Sequence, residues 1–543
     1  MNTLRELCSD FQYELISGDP DTEVSDIVYN SKNLKPDTVF VCMEGARFDP
    51  HTLVPEAFQK GCRAFVVSKL TSDMEKLKES STIILCKDTR SALSHMSRVF
   101  FGYPERRLRL IGITGTKGKT TAAFMIKAIL EAAGHKTGMI GTVGCMIGDK
   151  LYPTVNTTPE SYEIQAFLRR MADEGCSYAV MECSSQGFKL RRLSGVRFSA
   201  GVFLNISPDH IGPNEHESFE EYLYCKSRLA GASDMFFYNA FSEHIDELLE
   251  LVLKDKAEKE LRSFGVMGGG LGEALEGCDI SSEALASGTA PDNSVKTSPS
   301  GTNELKPYYI ASEAGYVSEE GFKGVGFRFS FEDKSYDIRL SMPGIFNVED
   351  ALCALSVCSY FGIDMKKADE ALSHINVSGR TETVYDDGNI SIMVDYAHNE
   401  VSMKNLILTL RNFSPKRIVT VFGCGGDRSK ERRIGMGREA ALMSDFTVMT
   451  SDNPRTEAPE AIIDDIEEAY LSAGGSKDAY VRICDRREAI EYAMRHAKKG
   501  DLIAVIGKGH EQYQEINGVR THFSDQEEIR RIGEVLKDEA EGR

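Results

Sequence analysis

The sequence predicts an α/β fold in three domains. These are a small N-terminal α/β unit (residues 1–105), a central parallel-sheet domain of the P-loop ATPase type (106–377) and a C-terminal Rossmann-like α/β domain (378–543). Three observations carry the prediction. The chain has 543 residues, room for three or four domains of the usual ~150 residues. Short apolar runs alternate with helical patterns along it. One glycine-rich loop stands between such a run and a helix, the order a phosphate loop requires.

In the first block, Thr38-Val-Phe-Val-Cys42 and Ala64-Phe-Val-Val67 read as buried strands. The second block opens on Leu108-Arg-Leu-Ile-Gly-Ile-Thr114, meets Gly115-Thr-Lys-Gly-Lys-Thr-Thr121 and continues as the helical pattern Ala122-Ala-Phe-Met-Ile-Lys-Ala-Ile-Leu130. Backbone N–H groups of Gly115, Thr116, Lys117 and Gly118 at a helix N-terminus form an anion cradle. Lys119 would reach the β/γ-phosphates, and the Thr120 hydroxyl suits Mg²⁺. The usual pattern has a glycine where Ile113 stands, so this is a shortened variant.

Two further apolar runs, Tyr178-Ala-Val-Met181 and Gly201-Val-Phe-Leu204, lead into Met181-Glu-Cys-Ser-Ser-Gln-Gly187 and Asn205-Ile-Ser-Pro-Asp-His210. Glu182 and His210 therefore stand at strand ends, where a divalent ion beside phosphates finds ligands. Taken singly, each reads as a charge solvating a sheet edge. Lys226, on a helical stretch, reads alone as a solvated lysine. The stretch 265–305 is rich in Ser, Thr, Pro and Gly without periodicity and reads as a loop insertion.

In the third block, three runs end in reactive residues. Ile390-Ser-Ile-Met-Val394 precedes Asp395-Tyr-Ala-His398, Ile418-Val-Thr-Val-Phe422 precedes Gly423-Cys-Gly-Gly-Asp-Arg428, and Leu502-Ile-Ala-Val-Ile506 precedes Gly507-Lys-Gly-His-Glu511. Ligands of open α/β sheets bind beyond such carboxyl ends.

Composition narrows the partners. Lys plus Arg total 64 against 83 Asp plus Glu, a formal charge of −19, so nucleic acid is excluded as a general partner. The 13 cysteines form no CxxC pair, as expected of reduced thiols rather than a disulfide framework or zinc ribbon. No secretory signal opens the sequence and no apolar run reaches the ~20 residues of a membrane helix. The expectation is a cytoplasmic protein without membrane insertion.

In this order, the motifs resemble the Mur ligase family of ATP-dependent amide-bond-forming enzymes, within it the muramyl-tripeptide synthetase branch. The resemblance rests on the TGTKGKTT loop, Asn156-Thr-Thr-Pro159, ECSSQG, SPDH, Pro343-Gly-Ile-Phe-Asn347 and Gly379-Arg-Thr-Glu382. It continues through Asp395-Tyr-Ala-His398, FGCGGDR, Asp452-Asn-Pro-Arg455 and Gly507-Lys-Gly-His-Glu511. It implies ATP and two Mg²⁺ ions, with Lys119, Thr120 and Thr121 on phosphates, Thr120 and Glu182 on one ion and His210 on a second. Lys226 matches a lysine that carries a CO₂-derived carbamate, an oxygen ligand in place of an ammonium. Lys119, Lys226, His210 and Glu182 form the implied catalytic set.

Asn347 and Arg380 would contact ATP, and closure of the third domain would bring Arg380 to it. Ser31, Thr157, Thr158, Ser185 and Arg192 match positions for the UDP-muramoyl substrate. Asp452-Asn-Pro-Arg455 resembles the signature for meso-diaminopimelate, whose distal carboxylate Arg455 can hold through two parallel hydrogen bonds. Arg428, Asp452, Asn453, Gly507 and Glu511 would complete that pocket, Glu511 accepting the distal ammonium. The implied partners are small-molecule substrates, and the implied state is a monomer. Some positions depart from the family: Asn30-Ser-Lys32 replaces Asp-Ser-Arg, Gln186 a histidine, Leu190 a glutamine, Asn399-Glu400 Thr-Pro, and Asp350 an asparagine. Other readings are the same ligase using L-lysine, a folylpolyglutamate or cyanophycin synthetase, and a silent relative with a structural role.

Overall fold

The computed structural model describes residues 2–45, 48–148, 150–208, 211–212, 215–254, 260–267, 306–319, 322–540 and 542. The insertion read at 265–305 lies almost wholly outside them. Two compact units result. The first holds the described part of Met1–Gly265, Leu305–Tyr309 and Cys353–Ala368, and the second holds the remainder.

Among the described residues, the first unit contains two larger sheets beside a two-stranded pairing of Asn2–Thr3 with Glu23–Val24. The N-terminal one runs in the order Glu14–Ser17, Thr82–Leu85, Ala64–Val67, Thr38–Val41, Asp26–Val28. Its two central strands, Thr38–Val41 and Ala64–Val67, are buried at every position, because helices cover both faces of a parallel sheet and leave no solvent side to alternate with. Contacts that tie this block to the rest of the unit include the Tyr162 hydroxyl, which donates to Asp26 Oδ1 at 2.6 Å, and the hydroxyl of Ser94 on the helix Thr89–Phe100, which donates to Ser194 O at 2.8 Å.

The second sheet of this unit has the order Lys150–Tyr152, Gly144–Ile147, Thr137–Gly141, Tyr178–Glu182, Arg109–Thr114, Phe198–Phe203, Ser233–Asn239, Glu260–Val266. The strands from Thr137–Gly141 onward are parallel, and a short antiparallel hairpin extends one edge. The Arg109–Thr114 strand lies between Tyr178–Glu182 and Phe198–Phe203. The chain leaves this strand toward Thr137–Gly141 on one side, whereas Phe198–Phe203 leads to Ser233–Asn239 on the other, so the strand order reverses between the two, the point at whose carboxyl ends open α/β sheets bind ligands.

The second unit carries an antiparallel meander, Tyr309–Glu319, Phe322–Phe331 and Lys334–Leu340. It also carries a six-stranded sheet in the order Glu382–Asp386, Ser391–Asp395, Asp501–Ile506, Arg417–Phe422, Phe446–Met449, Tyr480–Arg482, parallel apart from its first strand. Asp501–Ile506 is buried along its whole length. Beneath the carboxyl ends, Arg486 is fully buried against Asp525 at 2.8 Å and donates to Ile506 O at 3.0 Å. Breaking such a pair would strand a charge in the core, a cost of about 3–5 kcal/mol.

Candidate active site

The glycine loop forms where the sequence places it. Residues 115–118 connect Arg109–Thr114 to the helix Lys119–Ala132, and Gly118 turns with φ +82° as the helix N-cap. A β-carbon on Gly115 would stand 3.0 Å from Leu204 Cβ, so the loop lies close against the next strand. Asn205 braces it: the amides of Thr116 and Lys117 donate to Asn205 Oδ1 at 3.1 and 2.9 Å. The Thr116 hydroxyl sits 3.0 Å from the Tyr222 hydroxyl. Lys119 folds back over the loop, its Nζ donating to Gly115 O at 2.8 Å and Thr116 O at 3.1 Å.

Glu182 ends the strand beside the loop and has no exposed surface. It does not solvate an edge. The Thr120 hydroxyl lies 2.9 and 3.0 Å from its two oxygens, and Thr142 donates its amide and hydroxyl, each at 3.0 Å. Gly141 leaves space for it, since a β-carbon there would come within 2.2 Å of Glu182 Oε1. Lys226, on the helix Phe219–Gly231, is 2% exposed with Nζ 4.6 Å from the Tyr222 ring centre. It too is a buried charge, not a surface lysine. His210 lies outside the described residues.

The residues matched to the UDP-muramoyl substrate fall into a connected set, apart from Ser31. Thr157 and Thr142 hydroxyls are 3.1 Å apart, and Thr158 Oγ1 lies 2.9 Å from Glu182 O while accepting the Ser184 amide at 2.9 Å. Arg192 donates to Thr158 O at 2.9 Å and to Glu160 at 2.8 Å. Ser185 Oγ lies 2.9 Å from Nε2 of His216, a fully buried ring. Ser31 stands in a short turn, Ser31–Asn33, capped by Asn30. Among the described residues no hydrogen bond joins it to the others.

In the second unit, Asn347 begins the helix Asn347–Tyr360, its Nδ2 donating to Pro343 O at 2.6 Å. Arg380 lies over the Tyr396 ring, 4.8 Å from its centre. Burial, then the nearby Arg380, push His510 down to about 4, so its ring is neutral.

The Asp452-Asn-Pro-Arg455 turn meets Gly507-Lys-Gly-His-Glu511 directly. Asn453 Nδ2 donates to Glu511 Oε2 at 2.7 Å, and Asn453 Oδ1 accepts from Lys508 Nζ at 3.2 Å and the Glu515 amide at 3.0 Å. Arg455 turns with φ +52°, its guanidinium donating to Gly426 O. Gly507 has φ +115°, and a β-carbon there would reach within 2.6 Å of Asp452 Oδ2. Arg428 is exposed. Burial, reinforced by Asp452, raises the Glu511 carboxyl above its usual range.

Two family models match the chain. The Mur ligase middle domain covers residues 113–273, and the Mur ligase glutamate ligase domain covers 379–509. A diaminopimelate ligase of Caldanaerobacter subterraneus, named UDP-N-acetylmuramoyl-L-alanyl-D-glutamate--2,6-diaminopimelate ligase, is 35% identical over 95% of this chain and 96% of its own. The chain belongs to the Mur ligase family. The protein of the same name from Clostridium perfringens is 34% identical over 97% of this chain and 98% of its own. A solved structure with that name superposes with a TM-score of 0.66 at 25% identity, covering 99% of both chains.

Within this Mur ligase, sequence reasoning left four residues unassigned that hold assigned ones: Asn205, Thr142, His216 and Lys508. Asn205 opens a quoted motif and Thr142 follows a buried strand, signals that a reading of strand ends can use. His216 and Lys508 owe their place to contacts distant in sequence.

Proposed function

We propose that this Mur ligase joins meso-diaminopimelate to the D-glutamate of UDP-N-acetylmuramoyl-L-alanyl-D-glutamate at the expense of ATP, in peptidoglycan precursor synthesis. The observation that carries the choice of amino acid is the Asn453–Glu511 hydrogen bond. It joins the turn bearing Arg455 to a carboxylate. A cation and an anion around one amide suit a side chain that ends in both a carboxylate and an ammonium.

The substrate's γ-carboxylate attacks the γ-phosphorus of ATP, the bond to ADP breaks, and an acyl phosphate forms. The amine of diaminopimelate then attacks the acyl carbon, loses a proton, and phosphate departs with its bonding electrons. Lys119 and the amides of residues 115–118 hold and neutralise the phosphates. Arg380 adds a guanidinium for the nucleotide, and Asn347 an amide. Thr157, Thr158, Ser185, Arg192 and Ser31 orient the UDP-muramoyl dipeptide.

The donor set fits Mg²⁺. Glu182 is a fully buried carboxylate whose side-chain partners among the described residues are neutral threonine and amide donors, and all-oxygen ligation is what this ion prefers. Thr120 and Glu182 would hold one ion, with His210 and a carbamate on Lys226 for a second. The ions supply charge neutralisation at the transferring oxygens. Lys226 can form the carbamate only as a free amine: its Nζ bonds to the carbon of CO₂ and releases a proton. We place this enzyme in the cytoplasm as a monomer. Among the described residues no helix is long and apolar enough to cross a membrane.

The deciding assay supplies ATP, Mg²⁺ and the UDP-muramoyl dipeptide with meso-diaminopimelate or L-lysine, recording phosphate release and product mass. Product with diaminopimelate alone is expected. Product mainly with lysine would retain the ligase and reject the pocket assignment.

A further inference from the structure

Lys508 has no exposed surface. An ammonium withdrawn from water is costly unless charge and hydrogen bonds meet it. Its Nζ lies 3.2 Å from Asn453 Oδ1, 3.4 Å from Glu511 Oε2 and 3.9 Å from Asp452 Oδ1, with the Tyr513 ring centre at 5.6 Å. Three of these four neighbours belong to the segments assigned above to the diamino acid.

Asn453 is thereby fixed in one orientation. Its oxygen faces two donors, Lys508 and the Glu515 amide, and its nitrogen faces Glu511. A flipped amide would set donors against donors. Glu511 needs this support. Burial and Asp452 favour its protonated form, whereas Lys508 and Asn453 favour the carboxylate.

Other charged or titratable groups among the described residues that act on Glu511 include Tyr396, Tyr513, Arg486 and Arg520. The two phenols are neutral at pH 7. Arg486 is committed to Asp525 at 2.8 Å and Arg520 to Glu515 at 2.9 Å. Among the described residues, Lys508 is the cation in hydrogen-bonding contact with Glu511 itself.

We infer that Lys508 is a positioning residue of the amino-acid pocket, its buried ammonium holding Glu511 as a carboxylate and the Asn453 amide in register for the substrate's distal ammonium. The inference rests on the reading of this chain as a diaminopimelate ligase. Because Lys508 is shielded from solvent by the residues it serves, it acts through them and not on the substrate.

The test measures kcat/KM for meso-diaminopimelate against pH in the wild type, Lys508→Met, Lys508→Gln, Glu511→Gln and the Lys508→Met/Glu511→Gln double variant. Lys508→Met is expected to raise KM for the diamino acid about 30-fold at pH 7. KM for ATP and for the UDP-muramoyl dipeptide should stay within about twofold. The acid limb moves to higher pH, because Glu511 now keeps its proton longer. Lys508→Gln retains a donor without the charge and should show the same limb shift. The double variant falls no lower than Glu511→Gln alone.

An unmoved acid limb, or losses that add, would overturn the inference while leaving the ligase reading in place. A wild type that forms no product with diaminopimelate overturns both. Should neither Lys508 variant fold, a ¹³C-glutamate NMR titration of the wild type, assigned with Glu511→Gln, decides. A Glu511 that is ionised at pH 7 supports a held carboxylate, and one that is protonated there overturns the inference.

Discussion

At the carboxyl ends of the first unit's parallel sheet, Glu182 is a buried carboxylate held by hydroxyls and an amide. At the corresponding ends in the second unit, Asp452 and Glu511 stand with Lys508, while Arg486 and Asp525 pair beneath them. Among the described residues, the first arrangement sets neutral donors around a negative charge. With Arg455 on the same turn as Asp452, three cations stand against three carboxylates in the second, so it discriminates by adding one charged pair to another, not by supplying a missing charge. A divalent ion suits the former and a zwitterionic side chain the latter.

Glu182→Gln breaks the comparison most severely. Removing the charge while keeping the shape should lower kcat for phosphate release about 10³-fold, the scale set by losing a preorganised electrostatic contact to the transferring group. The thermal midpoint should change little, since Thr120 and Thr142 can still donate to the amide oxygen. More than a tenth of the activity remaining would show that the buried carboxylate does not serve a cation.

Arg455→Lys addresses the other pocket. Both residues share a β-carbon, so the left-handed turn at φ +52° is not altered. What is lost is a planar fork of donors. The expected fall in kcat/KM for meso-diaminopimelate is about 10²-fold with KM for ATP unchanged. An equal fall for L-lysine would show that Arg455 does not read the distal carboxylate.

The contrast also explains what could be read in advance. The phosphate loop is contiguous, and its strand, turn and helix follow from local composition, so residues 109–132 are legible without any tertiary knowledge. Strand ends at Glu182, Asp395 and Gly507 were marked by apolar runs stopping at polar residues. The burial of Lys226 was not legible from its helix, whose neighbouring residues look amphipathic. Lys508 was hidden inside the run Gly507-Lys-Gly-His-Glu511. Its meaning depends on Asn453, 55 positions earlier, and pattern reading does not see such distances. The antiparallel meander between Tyr309 and Leu340 likewise left no distinct mark.

Charge balance in the second unit also gives a pH signature. His510 is pushed down to about 4 by burial and by Arg380, against ~6.5 in an unfolded chain. The native state therefore refuses a proton that the unfolded state accepts. Stability is whole above pH 6.5 and drains as pH falls toward 4, by about 2 kcal/mol between pH 7.5 and 5. Urea titrations at those two pH values should show the loss, and His510→Gln should reduce it by about that amount, the burial-lowered His95, His216 and His398 keeping their own share. An unchanged pH slope in the variant would mean that the ring is protonated in the native protein and its neighbourhood is less positive than the geometry indicates.

The smallest effect is expected where the sequence departs from its family most visibly. Asn30-Ser-Lys32 replaces Asp-Ser-Arg, yet Asn30 Oδ1 accepts the Lys32 amide at 3.1 Å and so caps the turn that carries Ser31. Aspartate would accept the same hydrogen bond, and the two residues are nearly equal as caps. Asn30→Asp should change stability by no more than about 0.5 kcal/mol. Lys32 is exposed, and its ammonium and a guanidinium present the same charge to solvent. The double change Asn30→Asp/Lys32→Arg should therefore leave KM for the UDP-muramoyl dipeptide within about threefold. A larger gain in affinity would show that the natural chain has lost a contact to the nucleotide. Because that contact would belong to the first unit, the pH profile for diaminopimelate would be untouched, which separates a change in nucleotide recognition from one in the amino-acid pocket.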